Sequence, residues 1–181
     1  EYPLYQQELS GDDIGAYFSF DTQNNEQIEV KLGISFVSIA NARTNLDTEQ
    51  PDFNFEKIHT NATQAWDNLL GRISVKGTDD NKILFYSALY HSLIHPSILQ
   101  DVNGDYPLFG KQGIGNSGSN NRYSVFSLWD TYRNLHPLLS LAYPEIQTDM
   151  VRSLVDMSKE SGWLPKWELV GMETNVMVGD P

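Results

Sequence analysis

The sequence predicts a mixed fold in which β structure comes first and an all-α region follows. Three observations carry this. A period-two apolar pattern lies between residues 14 and 39, a period near 3.6 takes over from residue 53, and a Gly/Asn/Ser-rich stretch at 101–124 separates the helices. With 181 residues, 40% of them hydrophobic, the chain can bury a core.

In QIEVKLGISFVSI the even positions Ile28, Val30, Leu32, Ile34 and Phe36 are apolar, while Gln27, Glu29 and Lys31 are polar. That alternation is expected of a strand with one buried face in an antiparallel sheet or sandwich. IGAYFSF at 14–20 reads as a shorter partner, joined through the Asn/Asp-rich turn 21–27. So few strands cannot close a sandwich, and the chain is expected to begin partway through a β domain.

Phe55, Ile58, Ala62, Ala65, Trp66, Leu69 and Leu70 recur at helical spacing, with Asp52 or Asn54 placed to cap. Residues 82–95 are apolar around most of the circumference and predict a deeply buried helix, ended or kinked by Pro96. The stretch 101–124 reads as a long loop, and DVNGD at its start as a turn, because the register of a calcium loop is missing. Leu128, Tyr132, Leu135, Leu139 and Ala142 predict one helix, and Pro144 opens another that continues through Met157. The tail from Gly162 follows neither period. Both ends look cut.

Twelve basic and 24 acidic residues leave a net charge of −12, which repels nucleic acid and anionic membranes. No apolar run approaches the roughly 18 residues of a membrane span. The absence of cysteine excludes disulfides and Cys-ligated metal. Four Trp and nine Tyr suit either sugar faces or a core.

Candidate chemistry concentrates in two places. In SLWDTYRNLHP, Asp130 follows Trp129 and precedes Arg133. One reading makes Asp130 a helix cap; the other makes it a carboxylate that accepts sugar hydroxyls beside an aromatic plate, oriented by Arg133. In the tail, Glu168 and Glu173 lie among Trp163, Lys166 and Trp167, where irregular backbone often carries function. His91, His95 and His136 invite a metal reading, but without a carboxylate partner at motif spacing they are better read as satisfied core histidines. Asn61-Ala62-Thr63 fits a glycosylation sequon inside a helical pattern.

The stretches VFSLWDTYRNLHPLLSLAYPEIQTDMVRSL and GWLPKWELVGMETNVMVGDP, with VKLGISFVSIANARTNL and ILFYSALYHSLIHPSILQDVNGDY, resemble glycoside hydrolase family 92, the calcium-dependent exo-α-mannosidases. The resemblance implies a β-sandwich, linking helices and an (α/α)6 toroid. Residues 1–50 would then be the last strands of the sandwich, 51–78 the linker helix, and 79–181 the start of a truncated toroid. It also implies inverting hydrolysis of terminal α-1,2-linked mannose, with mannose-containing glycans as partners and a bacterial, extracytoplasmic setting. Trp129, Asp130 and Glu173 would line the mannose subsite, with Arg133, Trp163, Lys166, Trp167 and Glu168 nearby. The general acid, the base and the calcium ligands are expected beyond residue 181. The rival expectations are a non-catalytic carbohydrate-binding or interaction module, and a related toroid enzyme such as a glucoamylase-like hydrolase or a phosphorylase.

Overall fold

The computed structural model describes residues 10–177, and the calls on residues 1–9 and 178–181 lie outside it. The chain divides after Val30 into two units. In the first, residues 10–30 are irregular, with bends at 11–13 and one turn in which Glu26 N–H donates to the Gln23 carbonyl at 3.1 Å and the Glu26 carboxylate accepts from Gln23 N–H at 2.9 Å.

The second unit holds six helices and seven short strands among the described residues. In chain order these are α1 (Ile39–Glu49), α2 (Phe55–Leu70), α3 (Asp79–Ser92), β1 (Ser97–Ile98), β2 (Asp105–Pro107), β3 (Ile114–Asn116), β4 (Tyr123–Ser124), β5 (Phe126–Ser127), α4 (Leu128–Thr131), α5 (Leu135–Ala142), α6 (Pro144–Ser161), β6 (Trp167–Leu169) and β7 (Met172–Glu173). Its core is Leu89, Phe109, Tyr123, Phe126, Leu139, Tyr143, Met150 and Met157, flanked by Leu69, Leu70 and Ile146. Helices α5 and α6 pack on each other, and α6 also supports β4.

The predicted strands at 14–39 are not formed. Among the described residues, 14–37 form no ladder, and Ile39–Glu49 is helical, opened by the Ser38 hydroxyl accepting from Asn41 N–H at 3.0 Å. In 31–37 the half-buried side is the odd one, while Leu32, Ile34 and Phe36 are exposed. An isolated extended segment has no neighbouring backbone to bond, so alternation alone does not make a sheet.

Asp101 anchors this region. Buried at the start of the DVNGD turn, it accepts from Ser35 Oγ at 2.7 Å, Asn41 Nδ2 at 2.8 Å and Asn45 Nδ2 at 2.7 Å. The turn itself is as expected, with Gly104 at φ +88° and its N–H bonded to the Asp101 carbonyl. The rest of 101–124 is more ordered than a loop: β2 pairs with β3, and β4 reaches back to β1.

Helix α2 is the predicted one, capped by Asn54, and α6 starts at Pro144 and stops at Gly162 in the left-handed region at φ +90°. Helix α3 is not deeply buried: only Leu89 is, while Ile83 and Leu84 are exposed. The predicted helix through Leu128–Ala142 is two helices separated by a turn at 132–134. Pro137 is the reason, since it has no N–H to donate to the Arg133 carbonyl and its ring crowds that position.

One ion pair ties the β2–β4 region to α6. Arg122 grips Glu160 with two bonds, 3.0 and 2.8 Å, and both side chains are nearly inaccessible. Tyr106 Oη and Phe109 N–H also donate to Glu160, at 3.2 and 2.7 Å, and the Arg122 guanidinium lies 4.4 Å from the Tyr106 ring centre. Removing one member strands a buried charge. Glu160→Ala is expected to lower unfolding free energy by about 3–5 kcal/mol, read from denaturant midpoints of the full-length protein. A loss below about 1 kcal/mol would contradict this placement.

Candidate functional site

The predicted site residues come from two separated stretches, and one small sheet brings them together. β5 runs directly into α4, which carries Trp129 and Asp130. β5 pairs with β6, and β6 with β7, so that Ser127 stands opposite Trp167 and Glu168 opposite both Phe126 and Glu173. The WD turn and the 163–175 tail therefore share one edge of the unit.

Asp130 sits in the first turn of α4, yet it caps no backbone N–H. Its Oδ2 accepts from the Ser127 hydroxyl, and Ser127, at the N-cap position, makes no side-chain cap bond. No donor among the described residues engages Oδ1, and Asp130 is exposed. Trp129 beside it is 36% exposed, which leaves part of its face open. Arg133 does not orient Asp130: its Nε donates to the Tyr132 hydroxyl at 2.7 Å, and no ion pair joins it to Asp130 among the described residues.

Glu173 is half-buried and faces backbone donors. Lys166 N–H reaches Oε2 at 2.7 Å, while Trp167 N–H and Asn175 N–H reach Oε1, each at 3.2 Å. These bonds fix the direction of the carboxylate. Trp163 is exposed on one side and packs edge-on against Phe109, with centroids 5.4 Å apart. The Lys166 side chain is exposed and Trp167 is half-buried.

Glu168 takes a different part. It is fully buried, and its oxygens accept from Ser124 Oγ at 3.0 Å, Val125 N–H at 2.9 Å and Gly171 N–H at 2.7 Å. Ser124 Oγ in turn accepts from Val170 N–H at 2.9 Å. Val125 and Val170 both have positive φ, +68° and +50°, unusual for β-branched residues, and these bonds hold them there. Glu168 thus binds the sheet together from beneath and has no lone pair aimed outward.

The histidines divide. His91 and His95 are exposed, not core. His136 is half-buried and satisfied on both nitrogens, by Thr131 Oγ1 at 2.9 Å and Gln147 Oε1 at 3.0 Å. Sequence reasoning missed Ser124, Ser127, Thr131 and Gln147 as supports of the site. Ser and Thr at these positions give no periodic signal, and their partners lie across the fold.

No group of three or more His, Asp or Glu side chains that could hold a metal occurs among the described residues. The most oxygen-rich corner, at Asp101 and Asp105, is filled by the amide hydrogens of Asn41, Asn45, Asn103 and Asn116, where a cation would have to sit. It does not fit calcium. A polar groove of about 310 Å3 between Glu49, Gln100, Asn103 and Ser119 contains none of the predicted site residues.

This arrangement has counterparts. Residues 41–181 match the glycosyl hydrolase family 92 catalytic domain, and the chain belongs to that family. A secreted glycosidase of Arthroderma benhamiae is 34% identical over 129 residues, covering 66% of this chain and 15% of the relative. A family 92 α-mannosidase of Bacteroides thetaiotaomicron superposes with a TM-score of 0.75 at 33% identity, over 79% of this chain and 19% of that one. The same enzyme has also been solved in complex with mannoimidazole. A family 92 inverting mannosidase of the same species gives 0.74 at 30% identity, over 81% and 20%. The chain therefore spans about a fifth or less of these proteins' length.

Burial pushes the Glu168 carboxyl above its ordinary value of 4.5, against the hydrogen bonds and the Arg122 charge that pull it down. A carboxyl whose pKa is raised in the folded state contributes stability that is complete below 4.5 and is lost as pH rises through the raised value. Urea midpoints are expected to fall from that cause as pH is raised from 4.5 toward neutrality, and Glu168→Gln is expected to flatten the slope. An unchanged slope in the variant would assign the dependence to other groups.

Proposed function

We propose that this chain is part of an exo-acting α-mannosidase that releases terminal α-1,2-linked mannose from glycans with inversion, and that it supplies part of the mannose subsite. The observation that carries the reading is the sheet β5-β6-β7, which sets Trp129 and Asp130 beside the tail bearing Trp163, Trp167 and Glu173. Family membership and the mannosidase neighbours support the substrate class.

In this reading Asp130 Oδ1 accepts from sugar hydroxyls while Oδ2 stays tied to Ser127, and Trp129 and Trp163 cover the apolar C–H faces of the ring. The backbone N–H groups of Lys166 and Trp167 hold Glu173 in place, and the exposed Lys166 side chain is available as a donor. Inversion needs two carboxyl groups roughly 6.5–9.5 Å apart with water between them. We assign that acid–base pair, and the calcium ligands implied by the family, to the longer protein outside this chain. The finer architecture would be a sandwich end over residues 1–50, a linker over 51–78, and toroid helices over 79–181. A bacterial, extracytoplasmic site of action is the companion proposal, supported by the secreted fungal relative and the Bacteroides enzymes. No described helix is long and apolar enough to cross a membrane.

Asp130→Ala in the full-length enzyme is expected to lower kcat/KM on α-1,2-mannobiose at least about 100-fold, the scale of a lost charged hydrogen bond to substrate. Activity within about threefold of the parent would remove Asp130 from the subsite. The isolated chain is expected to give no turnover on the same disaccharide with calcium present, and genuine turnover would show that the acid and base lie within it.

A further inference from the structure

The candidate subsite depends on α4, a helix of only four residues, Leu128–Thr131. A helix this short has no cooperative stability of its own, so its direction must be set by side-chain ties to longer elements. One such tie runs from its last residue through an imidazole to α6. Thr131 Oγ1 lies 2.9 Å from His136 Nε2, and His136 Nδ1 lies 3.0 Å from Gln147 Oε1.

The direction of both bonds follows from the tautomer of the ring. Gln147 Oε1 can only accept, so Nδ1 carries the proton. In the tautomer with its single proton on Nδ1, Nε2 is an acceptor for the Thr131 hydroxyl. That hydroxyl has one proton and two acceptors within reach, His136 Nε2 at 2.9 Å and the Ser127 carbonyl at 3.3 Å. The shorter contact takes it. Ser127 is also the residue whose hydroxyl holds Asp130 Oδ2. The rigid, planar ring thereby fixes the spacing between α6 and the end of the WD turn.

We propose that His136 is a positioning residue for the sugar-holding turn, acting through the Thr131 hydroxyl to keep Trp129 and Asp130 in place. This rests on the mannose-subsite reading given above. His136 itself touches no substrate in this arrangement. Its Gln147 bond alone would only pack α5 against α6, which is an ordinary structural role. The Thr131 bond is what separates the two roles.

The test uses the full-length enzyme and α-1,2-mannobiose. Thr131→Val keeps the shape and removes the hydroxyl, while Thr131→Ser keeps it. His136→Asn retains a group at the Nδ1 position for Gln147 but cannot reach Thr131, whereas His136→Gln places its amide oxygen near the Nε2 position. Thr131→Val and His136→Asn are expected to raise KM about tenfold with kcat within about twofold, the pattern of weakened substrate holding without altered chemistry. Thr131→Ser and His136→Gln are expected to stay within about threefold of the parent, and the Thr131→Val/His136→Asn pair to be no worse than either single change. KM within about twofold of the parent in both Thr131→Val and His136→Asn, while Asp130→Ala raises it, would overturn the positioning role and leave the subsite reading standing. A loss in His136→Gln that is spared in His136→Asn would likewise overturn it, because the Gln147 bond would then be the one that matters. If Asp130→Ala also leaves KM unchanged, the subsite reading fails and this inference with it.

Discussion

The buried carboxylate of Glu168 is the contact on which the arrangement of the site depends. Its two oxygens collect donors from Ser124 and Val125 on one side and from Gly171 on the other. Those donors belong to segments more than 40 residues apart in the chain. Without the carboxylate, Ser124 Oγ, Val125 N–H and Gly171 N–H would lose their acceptor, and Val125 would lose the bond that holds its left-handed backbone. The sheet that sets Trp129–Asp130 beside Trp167 and Glu173 is therefore clamped at a point no ligand reaches.

Two other polar clusters divide the remaining work. The Arg122–Glu160 pair fixes the strands before the WD turn against α6, and Asp101 fixes 31–37 and α1 against the turn at 101–105. Each is a buried charge surrounded by donors, so each demands a specific geometry where apolar packing would tolerate several. The WD turn itself is short and exposed, which suits the proposed sugar-holding role.

The parts of the fold that were legible in the sequence are those governed by local chemistry. Asn54, one of two cap candidates, capped α2, and Pro144 opened α6, because caps and helix starts are decided within a few residues. The alternation in VKLGISF specifies which residues share a side, but a ladder also needs a partner strand, and none is present among the described residues. The split of 128–142 was written in Pro137, yet the apolar stripe 128, 132, 135, 139, 142 fits two successive helices as well as one. At the site, Trp129, Asp130 and Glu173 were picked out as candidates from residue type and motif, and the structure places them on or next to one small sheet. Glu168 was found as a carboxylate but its burial was not, and Arg133 was assigned to Asp130 by spacing when it turns to Tyr132 instead. Nothing in a sequence announces that Ser127 or Thr131 will face a partner contributed by distant packing.

The central claim is that the WD turn and the tail form one mannose-holding surface. A crystal structure of the full-length protein with mannoimidazole bound tests it most directly. The account predicts the ligand ring against Trp129, with its hydroxyls within hydrogen-bond distance of Asp130 Oδ1 and of Glu173. A ligand ordered elsewhere, for instance in the amide-lined groove at Gln100 and Asn103, with the WD turn empty, would contradict it.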